Sequence, residues 1–328
     1  MDRRDRARGA VVGSAVGDAL GAPFEFGPAG AFSARFPTSV APSGEVQEMC
    51  GGGGWDPGEA TDDTQMAVHI AHSLLDRGGL DLPDIFARFQ RWAAADPKDI
   101  GLQTENVLTN GHPWDRAATE HARINPHAAG NGSLMRATPA AVYFAHQGRS
   151  ATMTAARRIS ALTHGDPAAG EGTAIFHELI RVALQDSDPL DALADTLTAV
   201  DPIQRERYET VLAVDWHPAD ATEFNGAVWP CLGSAVWALR TTRGFADALR
   251  AAIDLGGDTD TVAAVTGGLA GVVYGFNAIP TRWTDRVHLP LPGDSNRTLR
   301  LIDLVDLTDR LTHSASTTQH PQRHKELD

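Results

Sequence analysis

Residues 256–274 have the sequence GGDTDTVAAVTGGLAGVVY, in which a polar turn of aspartates and threonines leads into a long apolar segment. Apolar side chains recur in this segment at the spacing of one helical face, from Val262 through Val265 to Leu269. Residues 65–75 have a similar periodicity and also follow a turn of aspartates and threonines. Both patterns predict helices that begin directly after the polar turn.

Helical periodicity extends over most of the remaining chain, whereas the alternating pattern of a β-strand is nearly absent. Prolines such as Pro83 and Pro167 lie near predicted helix starts, where a missing amide hydrogen is tolerated. Further helices are predicted at residues 82–95, 133–146, 151–162, 168–185, 189–200, 228–239, 245–253 and 298–311. The sequence therefore predicts an all-α fold in one domain, residues 1–312.

Proline and glycine punctuate three long segments that are predicted to be loops, at residues 37–60, 97–129 and 279–296. Loops of this length in a compact domain are usually functional or disordered. Residues 313–328 are polar and poor in apolar side chains, so we expect a disordered C-terminal tail there.

The composition excludes several classes of protein. Acidic residues number 42 against 28 basic ones, a formal charge of −14, which argues against the basic surface that binds duplex nucleic acid. No apolar run is long enough to span a membrane. Cys50 and Cys231 are too few for a disulfide framework, and Asp2 and Asp5 interrupt the basic segment that a secretory signal needs. We expect a cytoplasmic protein that begins with a helix.

Two clusters of aspartate and threonine precede the helices described first, namely TDDT at residues 61–64 and GGDTDT at residues 256–261. Aspartate and threonine are favoured N-cap residues, and acids are favoured in a first turn, so each cluster alone can be explained as a helix cap. A cap needs only one oxygen, whereas each cluster offers two carboxylates and further hydroxyls. Crowded carboxylates repel one another, and a divalent cation relieves that repulsion.

Oxygen ligands without cysteine or histidine favour Mg²⁺, Mn²⁺ or Ca²⁺ over zinc. If the two helix starts meet in space, their four aspartates could hold two ions in the arrangement of two-metal hydrolases. The sequence does not show whether they meet, so capping and cation binding both remain open at this stage.

Four further segments accompany the two clusters along the chain. They are GSAVGDALGAPFE at residues 13–25, GNGSLMR at residues 130–136, THGDP at residues 163–167, and Asn225-Gly226. Together with the two clusters, they resemble the ADP-ribosylglycohydrolase family, of the dinitrogenase-reductase-activating type. The resemblance extends from about Arg8 to Gly275, and the order of six motifs makes it specific.

The resemblance implies a compact orthogonal helical bundle with a binuclear site for Mg²⁺ or Mn²⁺. It also implies a hydrolase that removes ADP-ribose from a modified target. Matched to the family's motifs, the metal ligands would be Thr61, Asp62, Asp63, Asp258, Asp260 and Thr261. The catalytic groups would be Glu25, Asp62 and Asp258. Without the resemblance, Glu25 would be interpreted as a solvated loop acid.

The resemblance further implies that the GNGS turn binds the ribose phosphates, since backbone amides at a helix start can approach a diphosphate. The substrate-binding residues would be Asn131, Gly132, Ser133, Met135 and His164. Simpler roles are a helix cap for Ser133, a core position for Met135, a surface charge for Arg136 and a helix-end position for His164. An aromatic ring is expected to stack on the adenine. The candidates are Phe24, Trp55, Trp114, Tyr143 and Trp229.

Cleavage at C1″ of the ribose passes through an oxocarbenium-like state. The metals would orient the ribose hydroxyls and a water, and Glu25 or a metal-linked aspartate would accept the proton of that water. The expected substrate is ADP-ribosyl-arginine on protein, with free ADP-ribose as product, and a monomeric enzyme is expected. The alternatives are serine-linked, nucleic-acid-linked or small-molecule ADP-ribose, or a non-catalytic ADP-ribose-binding relative.

The variant Asp260→Asn distinguishes a helix cap from a metal ligand, because asparagine caps a helix about as well as aspartate does. If Asp260 is only a helix cap, the variant should stay active. If Asp260 is a metal ligand, the variant should stay folded, lose activity by several orders of magnitude, and no longer respond to Mg²⁺ in a melting assay. An active variant with an ordinary Mg²⁺ response would reduce the motif to a cap.

Overall fold

The computed structural model describes residues 1–37, 47–294 and 297–317. Sixteen α-helices lie in these ranges. They are α1 (Arg3–Gly21), α2 (Ala31–Arg35), α3 (Asp62–Arg77), α4 (Leu82–Ala93), α5 (Leu102–Thr109), α6 (Ala117–Ile124), α7 (Thr138–Phe144), α8 (Arg149–Ser160), α9 (Pro167–Ala183), α10 (Leu193–Leu197), α11 (Pro202–Val211), α12 (Val228–Thr241), α13 (Phe245–Ile253), α14 (Thr259–Tyr274), α15 (Thr281–Thr284) and α16 (Leu301–Thr317). The strands β1 (His288–Pro290) and β2 (Thr298–Arg300) pair antiparallel, with Leu289 opposite Leu299.

The prediction of an all-α fold is confirmed, while several predicted boundaries are wrong. The helix predicted from residue 133 begins at Thr138, because the Asn131 carbonyl accepts the amides of Leu134 and Met135 in a tight turn. The helix predicted at 189–200 is reduced to α10, since Asp188 accepts the Leu190 amide and holds a turn there. Residues 298–300 form β2, a strand too short to show an alternating pattern.

Two predicted loops contain secondary structure. Residues 97–129 include α5 and α6, and residues 279–296 include α15 and β1. Part of the first loop, residues 38–46, lies outside the described residues, as do residues 295–296 and 318–328. The tail prediction is wrong for residues 313–317, which continue α16.

Helices α1 and α14 lie antiparallel, with their backbones in direct contact. Glycines at every fourth position of α1 face the carbonyl oxygens of α14. A Cβ atom added at Gly13 would lie 2.4 Å from the Gly267 oxygen, and one added at Gly17 would lie 2.0 Å from the Ala263 oxygen. This contact places the end of α1 beside the start of α14.

Helix α14 lies in the centre of the core and is buried from Thr259 to Val272. Helices α1, α9, α12 and α13 pack around it, and α3 and α7 pack against α1. The starts of α3 and α14 and the end of α1 therefore meet at one side of the core.

Among the described residues, no helix is both long enough and apolar enough to cross a bilayer.

The variant Gly17→Ala tests the contact between α1 and α14. Its methyl group would overlap the Ala263 carbonyl, so we expect a loss of about 2 kcal/mol or more in the free energy of unfolding, although alanine is the better helix former. Urea denaturation measures the loss. The matched control is Gly79→Ala, whose methyl group would meet no atom within 4 Å. Equal stability of the two variants would contradict the expectation.

Candidate active site

A cleft of about 830 Å³ opens where the starts of α3 and α14 meet the segment after α1. Both acidic clusters contribute to its wall, through Asp62 and Asp63 on one side and Asp258 and Asp260 on the other. The two clusters thus meet in space, which the sequence alone left open.

The first cluster is held by the start of α3. Thr61 is the N-cap, and its Oγ1 accepts the amide of Asp63 at 3.3 Å. Asp62 and Asp63 occupy the first turn with only 5% and 2% of their surfaces exposed. Thr61 itself is fully buried and lies behind the cleft wall, so its hydroxyl serves as the cap in this structure.

Asp18 on α1 supports this helix start and has no role in the sequence analysis. Its carboxylate accepts the Thr61 amide at 3.0 Å, the Thr64 amide at 3.1 Å and the Thr64 hydroxyl at 2.5 Å. Burial raises the pKa of Asp18 to about 6, although these hydrogen bonds act to lower it. The sequence signal that could have identified Asp18 is its position in the segment GDALG, residues 17–21.

The second cluster follows a turn in which Gly256 and Gly257 both have positive φ, of 72° and 73°. The Asp258 amide donates to Asn225 Oδ1 at 3.0 Å, and Asn131 Nδ2 donates to Asp258 Oδ2 at 2.9 Å. Both residues come from the motifs quoted above. The asparagines therefore hold the aspartate in the cleft rather than over the helix terminus.

Glu25, which follows α1, completes the carboxylate cluster. One oxygen each of Glu25, Asp258 and Asp260 lie within 4.8 Å of one another. Burial, together with the charges of Asp99 and Asp258, raises the pKa of Glu25 to about 7. Glu25 is half-buried in the cleft wall, so it is not a solvated loop acid.

The two clusters act on each other electrostatically. Burial and then the neighbouring charge of Asp260 raise the pKa of Asp63 well above its ordinary value, and Thr261 Oγ1 lies 3.5 Å from Asp63 Oδ1. Burial likewise raises the pKa of Asp62 and Asp260. Asp63 Oδ2 is buried and has no hydrogen-bond partner. An unpartnered carboxylate oxygen among several others fits a divalent cation with oxygen ligands.

Asp99 is a further carboxylate of the cleft that the sequence analysis missed. It lies in the segment before α5, inside a predicted loop. Burial raises its pKa, and its charge in turn raises the pKa of both Glu25 and Asp62. A single acid in a long loop carries no sequence pattern, so only the folded chain identifies it.

The GNGS turn forms the part of the cleft wall next to Asp258, to which Asn131 donates. Gly130, Asn131, Gly132 and Met135 line it together with His164. A Cβ atom added at Gly132 would lie 2.9 Å from the His164 ring. Glycine at positions 130 and 132 therefore lets the His164 ring lie against the turn.

Ser133 and Arg136 of this segment are both buried. The Ser133 hydroxyl lies outside the cleft wall and is hydrogen-bonded to Ser160 and Thr173, at 2.9 and 3.1 Å. Arg136 is not a surface charge, because its side chain is completely buried. Periodicity alone does not distinguish a buried arginine from an exposed one.

Of the five aromatic candidates for adenine stacking, Trp55 is the one that lines the cleft. Lys98 Nζ lies 5.5 Å from the centre of its ring. Phe24 and Tyr143 are buried outside the cleft. At the rim, exposed Phe26 stacks on Phe224, with ring centres 6.4 Å apart.

The fold and the site together define the class of the protein. A sequence model of the ADP-ribosylglycohydrolase family matches residues 1–321. The chain therefore belongs to the ADP-ribosylglycohydrolase family, which confirms the resemblance carried by its motifs. It is an ADP-ribosyl hydrolase, an enzyme that cleaves a glycosidic bond of ADP-ribose.

Two curated relatives and one solved structure illustrate the similarity. The ADP-ribosylarginine hydrolase Tri1 of Pseudomonas putida (strain GB-1) is 30% identical over 293 residues, covering 86% of this chain and 74% of that protein. The ADP-ribosyl-(dinitrogen reductase) glycohydrolase of Rhodospirillum rubrum is 27% identical over 298 residues, covering 89% and 94%. A structure described as an ADP-ribosylglycohydrolase-related protein complex has a TM-score of 0.74 and 34% identity, covering 96% of this chain and 99% of that one.

The raised pKa values predict how stability depends on pH without metal. A carboxyl whose pKa is raised on folding, as for Asp18 to about 6 and Glu25 to about 7, favours the folded state below its ordinary pKa of about 4. That contribution is lost as the pH rises through the folded-state pKa. We expect the melting temperature of metal-free wild type to fall relative to Glu25→Gln, which lacks one of these carboxyls, between about pH 5 and pH 8.

Added Mg²⁺ or Mn²⁺ should stabilise the wild type more at the higher pH, because protons compete with the ion for the carboxylates. Differential scanning calorimetry with and without the ion measures both effects. A melting temperature difference between wild type and variant that is independent of pH would contradict the expectation.

Proposed function

We propose that this ADP-ribosyl hydrolase cleaves ADP-ribose from arginine side chains with the help of two Mg²⁺ or Mn²⁺ ions. The observation that carries the proposal is the convergence of both aspartate clusters and Glu25 on one cleft, next to the GNGS turn. The cleft thus offers crowded carboxylates beside backbone amides, which suit a ribose and a diphosphate respectively.

The cations would be held by oxygen atoms of the two helix starts, where Asp63 Oδ2 lacks a partner. The ligands in this proposal are Asp62, Asp63, Asp258, Asp260 and Thr261 at the cleft wall, together with Thr61 behind it. Bound there, the ions would polarise a water and orient the hydroxyls of the ribose.

Hydrolysis in this site forms a bond between a water oxygen and C1″ as the bond from C1″ to the arginine nitrogen breaks. A carboxylate accepts a proton from the attacking water, and Glu25 and Asp99 are the two candidates beside the aspartate clusters. That proton then passes to the leaving guanidine nitrogen, so that arginine leaves in its ordinary charged form. Asp62 and Asp258 stabilise the positive charge that develops on the ribose.

The cleft holds the diphosphate with few full positive charges. Of the described residues that line it, Lys98 alone is a lysine or arginine. Its ammonium already pairs with Glu59 at 2.6 Å. The Asn131 amide already donates to the Gly226 carbonyl oxygen at 2.9 Å. The backbone amides of Gly130 and Gly132 and the His164 ring are therefore the neutral donors that we propose for the phosphate oxygens.

A cationic leaving group suits this site better than a neutral one. Glu25, Asp99 and Asp258 lie together in the cleft wall, and their negative charges attract a guanidinium. One relative is named an ADP-ribosylarginine hydrolase, and another is named for ADP-ribosylated dinitrogen reductase. These names support an arginine linkage on a protein as the substrate. A serine leaving group is neutral, so these negative charges would not attract it.

The same proposal includes a monomeric enzyme in the cytoplasm that acts on modified proteins. Both cysteines, Cys50 and Cys231, are free thiols in the structure, which supports a reducing compartment.

A panel of ADP-ribosylated substrates tests the linkage. We expect release of ADP-ribose from an arginine-modified peptide at least about tenfold faster than from the matched serine-modified peptide. A chelator should abolish the activity, and added Mg²⁺ or Mn²⁺ should restore it. Equal or faster cleavage of the serine or nucleobase linkage would overturn the assignment to arginine, and activity that survives metal removal would overturn the metal mechanism.

A further inference from the structure

Arg136 is a fully buried arginine beside the cleft. Its Nη2 donates to Thr163 Oγ1 at 2.7 Å, its Nη1 lies 3.7 Å from Met66 Sδ, and its guanidinium lies 4.7 Å from the ring centre of Phe89. Its Nε is buried without a partner. Burial lowers the pKa of Arg136 to about 9, which leaves it charged at neutral pH. Burying a charge with so few hydrogen-bond partners is unfavourable for the free energy of folding, so the presence of Arg136 here calls for an explanation.

Thr163 connects this arginine to the cleft. Its hydroxyl accepts from Arg136, and the same oxygen lies 2.8 Å from Nδ1 of His164. Thr163 is fully buried, and within the described part of the chain its hydroxyl proton has no other acceptor in hydrogen-bond reach. Because an unpaired buried hydroxyl proton is unfavourable, the Thr163 hydroxyl donates to His164 Nδ1.

His164 is thereby held in one tautomer. The ring is buried, and burial followed by the charge of Arg136 lowers its pKa well below the ordinary value, so it is neutral. A neutral imidazole has one N–H group and one acceptor nitrogen. With Nδ1 as the acceptor, the proton lies on Nε2.

Nε2 faces the GNGS turn. It would lie 3.1 Å from a Cβ atom added at Gly132 and 3.4 Å from one added at Gly130. Gln103 holds the backbone of Thr163 in place, since its Nε2 donates to the carbonyl oxygens of Thr163 and Ala128 at 3.2 and 2.9 Å.

We propose that Arg136 and Thr163 are positioning residues that hold His164 as a neutral Nε2–H donor toward an anionic oxygen of the ADP-ribose diphosphate in the GNGS turn. The proposal rests on the proposed function for the nature of the ligand. The opposite tautomer would direct a lone pair at the anion and weaken binding. The direction of this series of hydrogen bonds follows from Arg136, because a guanidinium can donate hydrogen bonds but cannot accept them.

The tautomer can be observed directly in the enzyme without substrate. Nitrogen NMR of protein labelled with ¹⁵N-histidine distinguishes Nε2–H from Nδ1–H, and His164→Gln identifies the resonance. We expect Nε2–H in wild type and in Thr163→Ser, which keeps the hydroxyl. Thr163→Val, of nearly the same shape, should show a mixture of tautomers. A wild-type His164 with its proton on Nδ1 would overturn the proposal.

Binding of free ADP-ribose, measured by calorimetry, should weaken about tenfold in Thr163→Val and stay near wild type in Thr163→Ser. On the arginine-linked peptide, Thr163→Val should raise KM more than it lowers kcat. Arg136→Met supplies a second test, since it frees the Thr163 hydroxyl to accept from Nδ1–H and should also give mixed tautomers.

If the Thr163→Val protein is folded, retains Nε2–H and binds ADP-ribose as wild type does, the positioning role is wrong. If Thr163→Val does not fold, Arg136→Met and the wild-type spectrum still decide the matter. Failure of the proposed function would appear differently, as a wild-type enzyme that does not bind ADP-ribose although His164 shows the expected tautomer.

Discussion

Direct contact between the backbones of α1 and α14 is the constraint on which the rest of the structure depends. Only glycine at positions such as Gly13 and Gly17 allows the carbonyl oxygens of α14 to approach so closely. The contact runs along most of both helices, so it fixes the end of α1 against the start of α14 to within a fraction of a helical turn. Glu25 and Asp260, far apart in sequence, are thereby brought within reach of one cation.

The carboxylates that meet there are of two kinds. Asp18 is surrounded by amide and hydroxyl donors from the first turn of α3, so it stabilises that helix start although it is buried. Asp63 and Asp260 have fewer donors, and burial together with mutual repulsion raises their pKa. The fold thus satisfies the buried carboxylate of Asp18 within the protein, whereas Asp63 Oδ2 is left without a hydrogen-bond partner. Burial without such donors favours the protonated form of a carboxyl.

The metal-side and phosphate-side residues of the site were predictable to different degrees. The two aspartate clusters were predictable because each combines a helix cap with more oxygen atoms than a cap needs. Asp99 and Arg136 were not, since a lone acid in a loop and a lone arginine in a helix-like pattern carry no periodic or spacing signal. The position of the Ser133 hydroxyl was not predictable for a related reason, because which side of a short turn faces the cleft depends on the helices packed behind it.

The order of elements, the helical class and the chemistry of the acidic motifs follow from the sequence by itself, because spacing, capping and residue type act over a few neighbouring residues. Distances between segments remote in the chain arise only in the tertiary structure. The meeting of the two clusters, the enclosure of Arg136 and the hydrogen-bond chain through Thr163 to His164 are all of this kind. They depend on packing, which places groups together or apart irrespective of their separation in sequence.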